Sequence, residues 1–180
     1  MSFQGEYLLD EIDKKRNLMD RELIKINLGC GRQRKHGYIG IDQIQYVDKK
    51  SNEMVDRVVD IEKSKLPFED DRIDEILADN IFEHLGDGFI HALNECHRVL
   101  RPTGKLVGTV PLAGTKEDFQ DITHKRHFIE ESFGYLTGEN KAMDNRPSHP
   151  RYADYGVLPW KKNELFTKNN LIYFNLSPKK

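Results

Sequence analysis

The sequence predicts an α/β fold: a mostly parallel sheet with helices on both faces, finished by a C-terminal antiparallel hairpin. Three observations predict it. Strand-like apolar runs alternate with helical spacing between residues 23 and 111. The first run enters a glycine turn, "INLGCG" (26–31), and the next run ends on Asp42. Near the end, two strand-like runs flank Asn169-Asn170, a hairpin signal.

The elements follow in order. Tyr7, Leu8 and Ile12 fall at near-helical spacing, which predicts a leading helix within 1–22. "LIKINL" (23–28), "YIGID" (38–42), "RVVDI" (57–61) and "RIDEILAD" (72–79) read as four strands, and "GKLVGTVP" (104–111) as a fifth. Between the last two, Phe89, Ala92, Leu93, Cys96, Val99 and Leu100 form one apolar stripe, predicting a helix over 87–100 that Pro102 and Gly104 stop. Residues 138–156, polar and rich in Gly, Pro and Asp, read as a long mobile loop on the substrate side. The tail 163–178 supplies the hairpin.

The chain has 180 residues, the length of one domain, so 1–180 is read as a single unit. Lys and Arg number 28 against 30 Asp and Glu, so no global field recruits nucleic acid or a membrane surface. No basic stripe with interleaved aromatics favours nucleic acid. No run approaches the roughly 20 apolar residues of a membrane span, and the N-terminus lacks the apolar core of a signal peptide. Cys30 and Cys96 have neither CxxC nor zinc spacing, and reduced thiols in a cytoplasmic protein are expected.

In open α/β sheets, ligands bind beyond the carboxyl ends of the strands. Gly29 and Gly31 sit at such an end, where glycine allows a sharp turn and close approach of the backbone to a ligand. Asp42 could accept both hydroxyls of a ribose, and Asp60 could reach the base of the same nucleoside. A nicotinamide dinucleotide is the rival ligand. Its fingerprint wants a third glycine opening a helix, with an acid about 20 residues on. Here Arg34 stands in the glycine's place, Asp42 comes too soon, and only residues 29–37 separate the two strands.

Taken together, "INLGCG", Asp42, "VVDIEKSKLPFEDDRIDEILADNIFEHL" and "NECHRVLRPTGKLVGTVP" resemble the class I S-adenosylmethionine (SAM)-dependent methyltransferases over residues 24–111. The resemblance implies a Rossmann-like, seven-stranded sheet whose last strand is antiparallel, with SAM as co-substrate. It implies that Asn27, Gly29, Cys30 and Gly31 border the methionine part of SAM. Asp42, with Gln43 beside it, would bind the ribose, and Asp60 and Ile61 would flank the adenine. Ala78, Asp79 and Asn80 would lie beside the amino-acid moiety and the methyl. The first crossover is shorter than in most of the family.

Methyl transfer from a sulfonium needs alignment, exclusion of water and, for an oxygen or nitrogen acceptor, a base. Asp79 and His84, in "ADNIFEHL", lie close to the expected methyl position. They are either candidate bases or a partner of the SAM ammonium and a loop-orienting histidine. In "DITHKRHF" (121–128), Asp121, His124 and His127 recur at intervals of three, which a helical turn would bring to one face. His124 or His127 would then be the base, held by Asp121. The same three residues could instead hold a divalent metal or cap a helix with solvated histidines. No metal is assigned to the expected site. Lys125 and Arg126 face an anionic substrate or solvent. His91 and His97 are assigned to packing or solvation, and Trp160, Tyr152 and Tyr155 either line a pocket or anchor the long loop.

The expected activity is SAM-dependent methyl transfer to a small molecule or glycan, at an oxygen, with a sugar as the favoured acceptor. A non-catalytic SAM-binding partner subunit and an NAD(P)-dependent oxidoreductase are the alternatives.

Overall fold

The computed structural model describes residues 21–33, 35–46, 55–138 and 152–180. The expected leading helix falls almost wholly outside them, as do residues 139–151 of the expected loop. The strands are β1 Lys25–Leu28, β2 Ile39–Asp42, β3 Arg57–Val58, β4 Ile73–Asp79, β5 Leu100–Pro111, β6 Trp160–Lys168 and β7 Leu171–Pro178, and helix α1 spans Phe89–Val99. They form one seven-stranded sheet in the order β3-β2-β1-β4-β5-β7-β6. β1 to β5 pair in parallel, and β7 runs antiparallel to both β5 and β6.

Register explains the core. Ile26, Ile76, Leu106 and Leu176 lie in one row across four neighbouring strands, and all are at most 1% exposed. Alternation puts this row on the face covered by α1, whose Ala92, Leu93, Cys96 and Val99 share the same cluster. Each such side chain contributes about 1.5–3 kcal/mol by leaving water. One residue earlier, on the opposite face, Lys25, Glu75 and Lys105 stand side by side, with Lys105 Nζ 3.0 Å from Glu75.

Several boundaries differ from expectation, and two have a clear cause in register. α1 ends at Val99, and β5 already begins at Leu100, opposite Ile73. The register then jumps to Glu75 opposite Lys105, so Pro102, which has no N–H to donate, sits in an irregularity. β6 starts at Trp160 rather than 163, because Trp160 to Lys162 pair with Pro178 to Leu176. The hairpin turn is as expected: Asn169 and Asn170 adopt φ of 51° and 62°, the left-handed pair of a type I′ turn.

Among the described residues, no helix is long and apolar enough to cross a membrane.

Candidate functional site

The strand order reverses between β1 and β4, and a cleft of about 520 Å³ opens at their carboxyl ends. Asn27, Gly29, Cys30 and Gly31 form one wall, and Leu77, Asp79 and Asn80 the other. Arg32, Gln33 and Lys35 complete the rim. A volume of this size suits a nucleoside-sized ligand.

The glycine turn is built for close approach. Gly29 has φ +66°, and a Cβ there would fall 2.5 Å from Ile81 Cδ1 and Cγ1. Gly31, at φ +52°, has nothing within 4 Å of where a Cβ would be. The Gly31 N–H donates to Asp42 at 2.8 Å, and the other Asp42 oxygen accepts the Ile44 N–H at 3.1 Å. Cys30 is buried, its N–H bonded to the Ile41 carbonyl at 3.0 Å. Burial, with Asp42 and Asp56 nearby, pushes its thiol up to about 11, which leaves it a packing residue rather than a nucleophile.

Across the cleft, Thr109 donates its hydroxyl to Asp79, and the Asn80 N–H bonds the Thr109 carbonyl at 3.0 Å. Asp79 and Asn80 remain exposed at the mouth, while Ala78 is buried in the core. Gln43 follows Asp42 and is exposed. Asp60 and Ile61 stand apart from the cleft wall. The Asp60 carboxylate is engaged by Lys63 Nζ at 2.8 Å and the Glu62 N–H at 3.0 Å, and the Lys63 contact holds it below its ordinary value. Ile61 packs into the core.

A second cavity, of about 490 Å³, lies beside the first turn of α1. Phe82, Phe89, Phe128, Phe133, Tyr135 and Tyr155 give it an aromatic wall, and Lys125, Arg126 and His127 are its basic members. The turn from Asp79 to Phe82 contributes to both spaces: Asp79 and Asn80 line the first, Phe82 the second.

Residues 121–127 do not form the expected helical face. The chain makes a turn at Asp121–His124 and then runs extended, because the Glu83 carbonyl accepts the N–H groups of Lys125 (2.7 Å) and Arg126 (3.1 Å). The Asp121 carboxylate therefore holds neither imidazole directly. It accepts from the Thr123 hydroxyl at 2.7 Å, and Thr123 Oγ in turn meets His84 Nδ1 at 2.9 Å. The partner of both later histidines is Asp118. Its buried carboxylate accepts from His127 Nδ1 at 2.8 Å, and its carbonyl accepts from His124 Nδ1 at 2.7 Å. Arg126 spends its guanidinium on the Leu85 and Gly86 carbonyls, at 3.0 and 2.6 Å, over the Phe89 ring.

Glu83, Asp118 and Thr109 were not singled out by sequence reasoning. Glu83 is 1% exposed, and burial pushes its carboxyl up to about 7. Burial also lowers His84, with His124 adding to the effect. No local pattern marks any of the three, since their roles come from segments far apart in the chain. His97 meets the Pro159 carbonyl and the edge of Trp160, which is core rather than pocket wall, and His91 meets the Ser64 carbonyl. Tyr155 does line the aromatic cavity.

Comparison with known proteins bears on this geometry. Residues 26–108 match a family model described as a methyltransferase domain. An uncharacterized protein of Methanocaldococcus jannaschii is 27% identical over 117 residues, 61% of this chain and 51% of that protein. The chain thus spans about half the length of that curated relative. Among solved structures, the 1,6-didemethyltoxoflavin-N1-methyltransferase of Burkholderia thailandensis, bound to 1,6-didemethyltoxoflavin and S-adenosylhomocysteine, superposes with a TM-score of 0.56. Identity is 12%, covering 98% of this chain and 87% of that one. A SAM-dependent methyltransferase of Archaeoglobus fulgidus gives a TM-score of 0.54 at 18% identity, covering 89% and 72%. At such identities the likeness is one of fold.

Proposed function

We propose that this chain, whose residues 26–108 match a methyltransferase domain, transfers the methyl of SAM to a hydroxyl of a small molecule or glycan. SAM is the co-substrate, and the cleft at the switch point suits it. The glycine turn lets a ligand approach the backbone, Asp42, bonded to the Gly31 N–H, is the residue assigned to the ribose in this reading, and the exposed Asp79 carboxylate can meet the ammonium. SAM supplies an already activated methyl on a sulfonium.

The observation that carries the acceptor side is the His127–Asp118 pair on the wall of the aromatic cavity. His127 gives its Nδ1 proton to a buried carboxylate, so Nε2 keeps a lone pair for the acceptor O–H. As the acceptor oxygen bonds to the methyl carbon, its proton passes to Nε2, and the C–S electrons return to sulfur. The aromatic wall suits the C–H face of a sugar ring or a phenol, with a sugar the favoured acceptor, and excludes water from the reacting atoms. The free thiols of Cys30 and Cys96 favour a reducing compartment such as the cytoplasm.

The test pairs binding with turnover. Calorimetry with SAM and S-adenosylhomocysteine is expected to give micromolar affinity, and NADH none. Methyl transfer to a panel of sugars and phenols is then compared in wild type and His127→Gln. Loss of about 10²–10⁴ in kcat with SAM affinity unchanged is the expected result. Absence of SAM binding by folded protein would sink the reading. SAM binding with equal turnover in His127→Gln would remove His127 as the base.

A further inference from the structure

We propose that Glu83, His84 and His124 form a binding site for one divalent first-row transition ion of the zinc class, at the turn after β4. A Glu83 oxygen and one ring nitrogen of each histidine lie within 4.8 Å of one another. A zinc ion with ligands at about 2.0–2.1 Å would draw such atoms to roughly 3.3 Å apart, a movement of under about 1 Å for each side chain.

The carboxylate itself points to a ligand. Glu83 is almost fully buried, and among the described residues neither of its oxygens has a hydrogen-bond partner. An ionised carboxylate left so is costly unless a cation pairs with it.

The rings are already set as ligands. His124 Nδ1 faces the Asp118 carbonyl at 2.7 Å, and a carbonyl only accepts, so Nδ1 carries the proton and Nε2 the lone pair. Thr123 donates its hydroxyl hydrogen to Asp121 at 2.7 Å, so its oxygen accepts from His84 Nδ1 at 2.9 Å, which frees the lone pair of His84 Nε2. Metal-binding histidines usually donate their second N–H to such a carbonyl or carboxylate-backed partner. Two imidazoles and one carboxylate favour zinc, cobalt, nickel or iron over magnesium or calcium, and leave a fourth position open. The ligands come from two segments already joined at the Glu83 carbonyl, so the ion would staple residues 82–84 to 121–126.

This site stands independently of the methyl-transfer reading, and its test uses metal alone. Tag-free, chelator-stripped protein is titrated with Co²⁺ and followed by visible absorption, then challenged with Zn²⁺. One equivalent of Co²⁺ is expected, with tetrahedral d–d bands that Zn²⁺ abolishes. Glu83→Gln and His124→Asn are expected to weaken binding at least 100-fold, and Thr123→Val about 10-fold. His91→Gln on α1 is expected to bind as wild type does. Far-UV circular dichroism confirms the fold of each variant, so two independent ligand substitutions must fail together. No stoichiometric binding by wild type, or undiminished binding by folded Glu83→Gln or His124→Asn, would overturn the site.

Discussion

The carboxylate of Asp42 accepts the backbone N–H of Gly31 at 2.8 Å, so the end of β2 fixes the shape of the turn that leaves β1. One side chain thus shapes the glycine turn of the cleft, and in the proposed function the same carboxylate binds the ribose. Asp42→Asn keeps the size and removes the charge, whereas Asp42→Ala removes both. Affinity for S-adenosylhomocysteine is expected to fall about 10-fold in the first and about 100-fold in the second. Calorimetric titration checks this, and an unchanged Kd in Asp42→Ala would take Asp42 out of the binding set.

Gly29 and Gly31 share a left-handed backbone but not a neighbourhood. Gly31→Ala meets only the backbone penalty, about 1 kcal/mol. Gly29→Ala also drives a methyl into Ile81, and about 2–3 kcal/mol is expected. Urea unfolding of the two variants side by side decides the matter, and equal losses would mean that Ile81 yields freely.

Glu95 on α1 carries the turn at 66–70. It accepts the Leu66 N–H at 2.8 Å and N–H groups of Arg98 Nε and Nη2, while Arg98 also reaches the Leu66 and Phe68 carbonyls. Burial opposes the charge on Glu95, but Arg98 and the Leu66 N–H outweigh it and hold the carboxyl below its usual 4.5. A depressed folded value means that stability is complete above about 4.5 and is lost as pH falls through the lowered value. Glu95→Gln is expected to cost about 2–3 kcal/mol at neutral pH and to flatten the acid side of the stability profile. Chemical unfolding across pH checks both, and parallel profiles would refute the assignment.

Asn169 holds φ +51° in the turn between β6 and β7. Asn169→Val places a β-branched residue in that region, and a loss of about 1–2 kcal/mol is expected. Because β7 pairs with both β5 and β6, thermal unfolding is expected to remain one transition at lower Tm.

The succession of strands along the chain and the hairpin were readable because buried apolar runs and an Asn-Asn turn are local signals. β3 shrank to Arg57–Val58, since only these two pair with Ile41 and Asp42. The start of β6 was hidden by Lys161 and Lys162 and by a register shift before Glu164. The place of the cleft was legible from Gly29 and Gly31, which line it. The histidine cluster was not. A spacing of three suggested a helix at 121–127, whereas hydrogen bonds to Glu83, some forty residues away, hold the segment extended. Nothing near Glu83 in the chain announces that its carboxylate is buried, or that Asp118 serves two histidines.

The position of β7 between β5 and β6 has a consequence for synthesis. β5 and β6 leave the ribosome before the strand that joins them, so until β7 is made, β5 presents the row from Leu106 to Pro111 as an unpaired edge. Such an edge invites pairing with other chains. A chain stopped after residue 168 would keep its glycine turn and Asp42, yet lack the strand that seals the sheet. Self-association of that fragment, rather than loss of the cleft, would be its first defect.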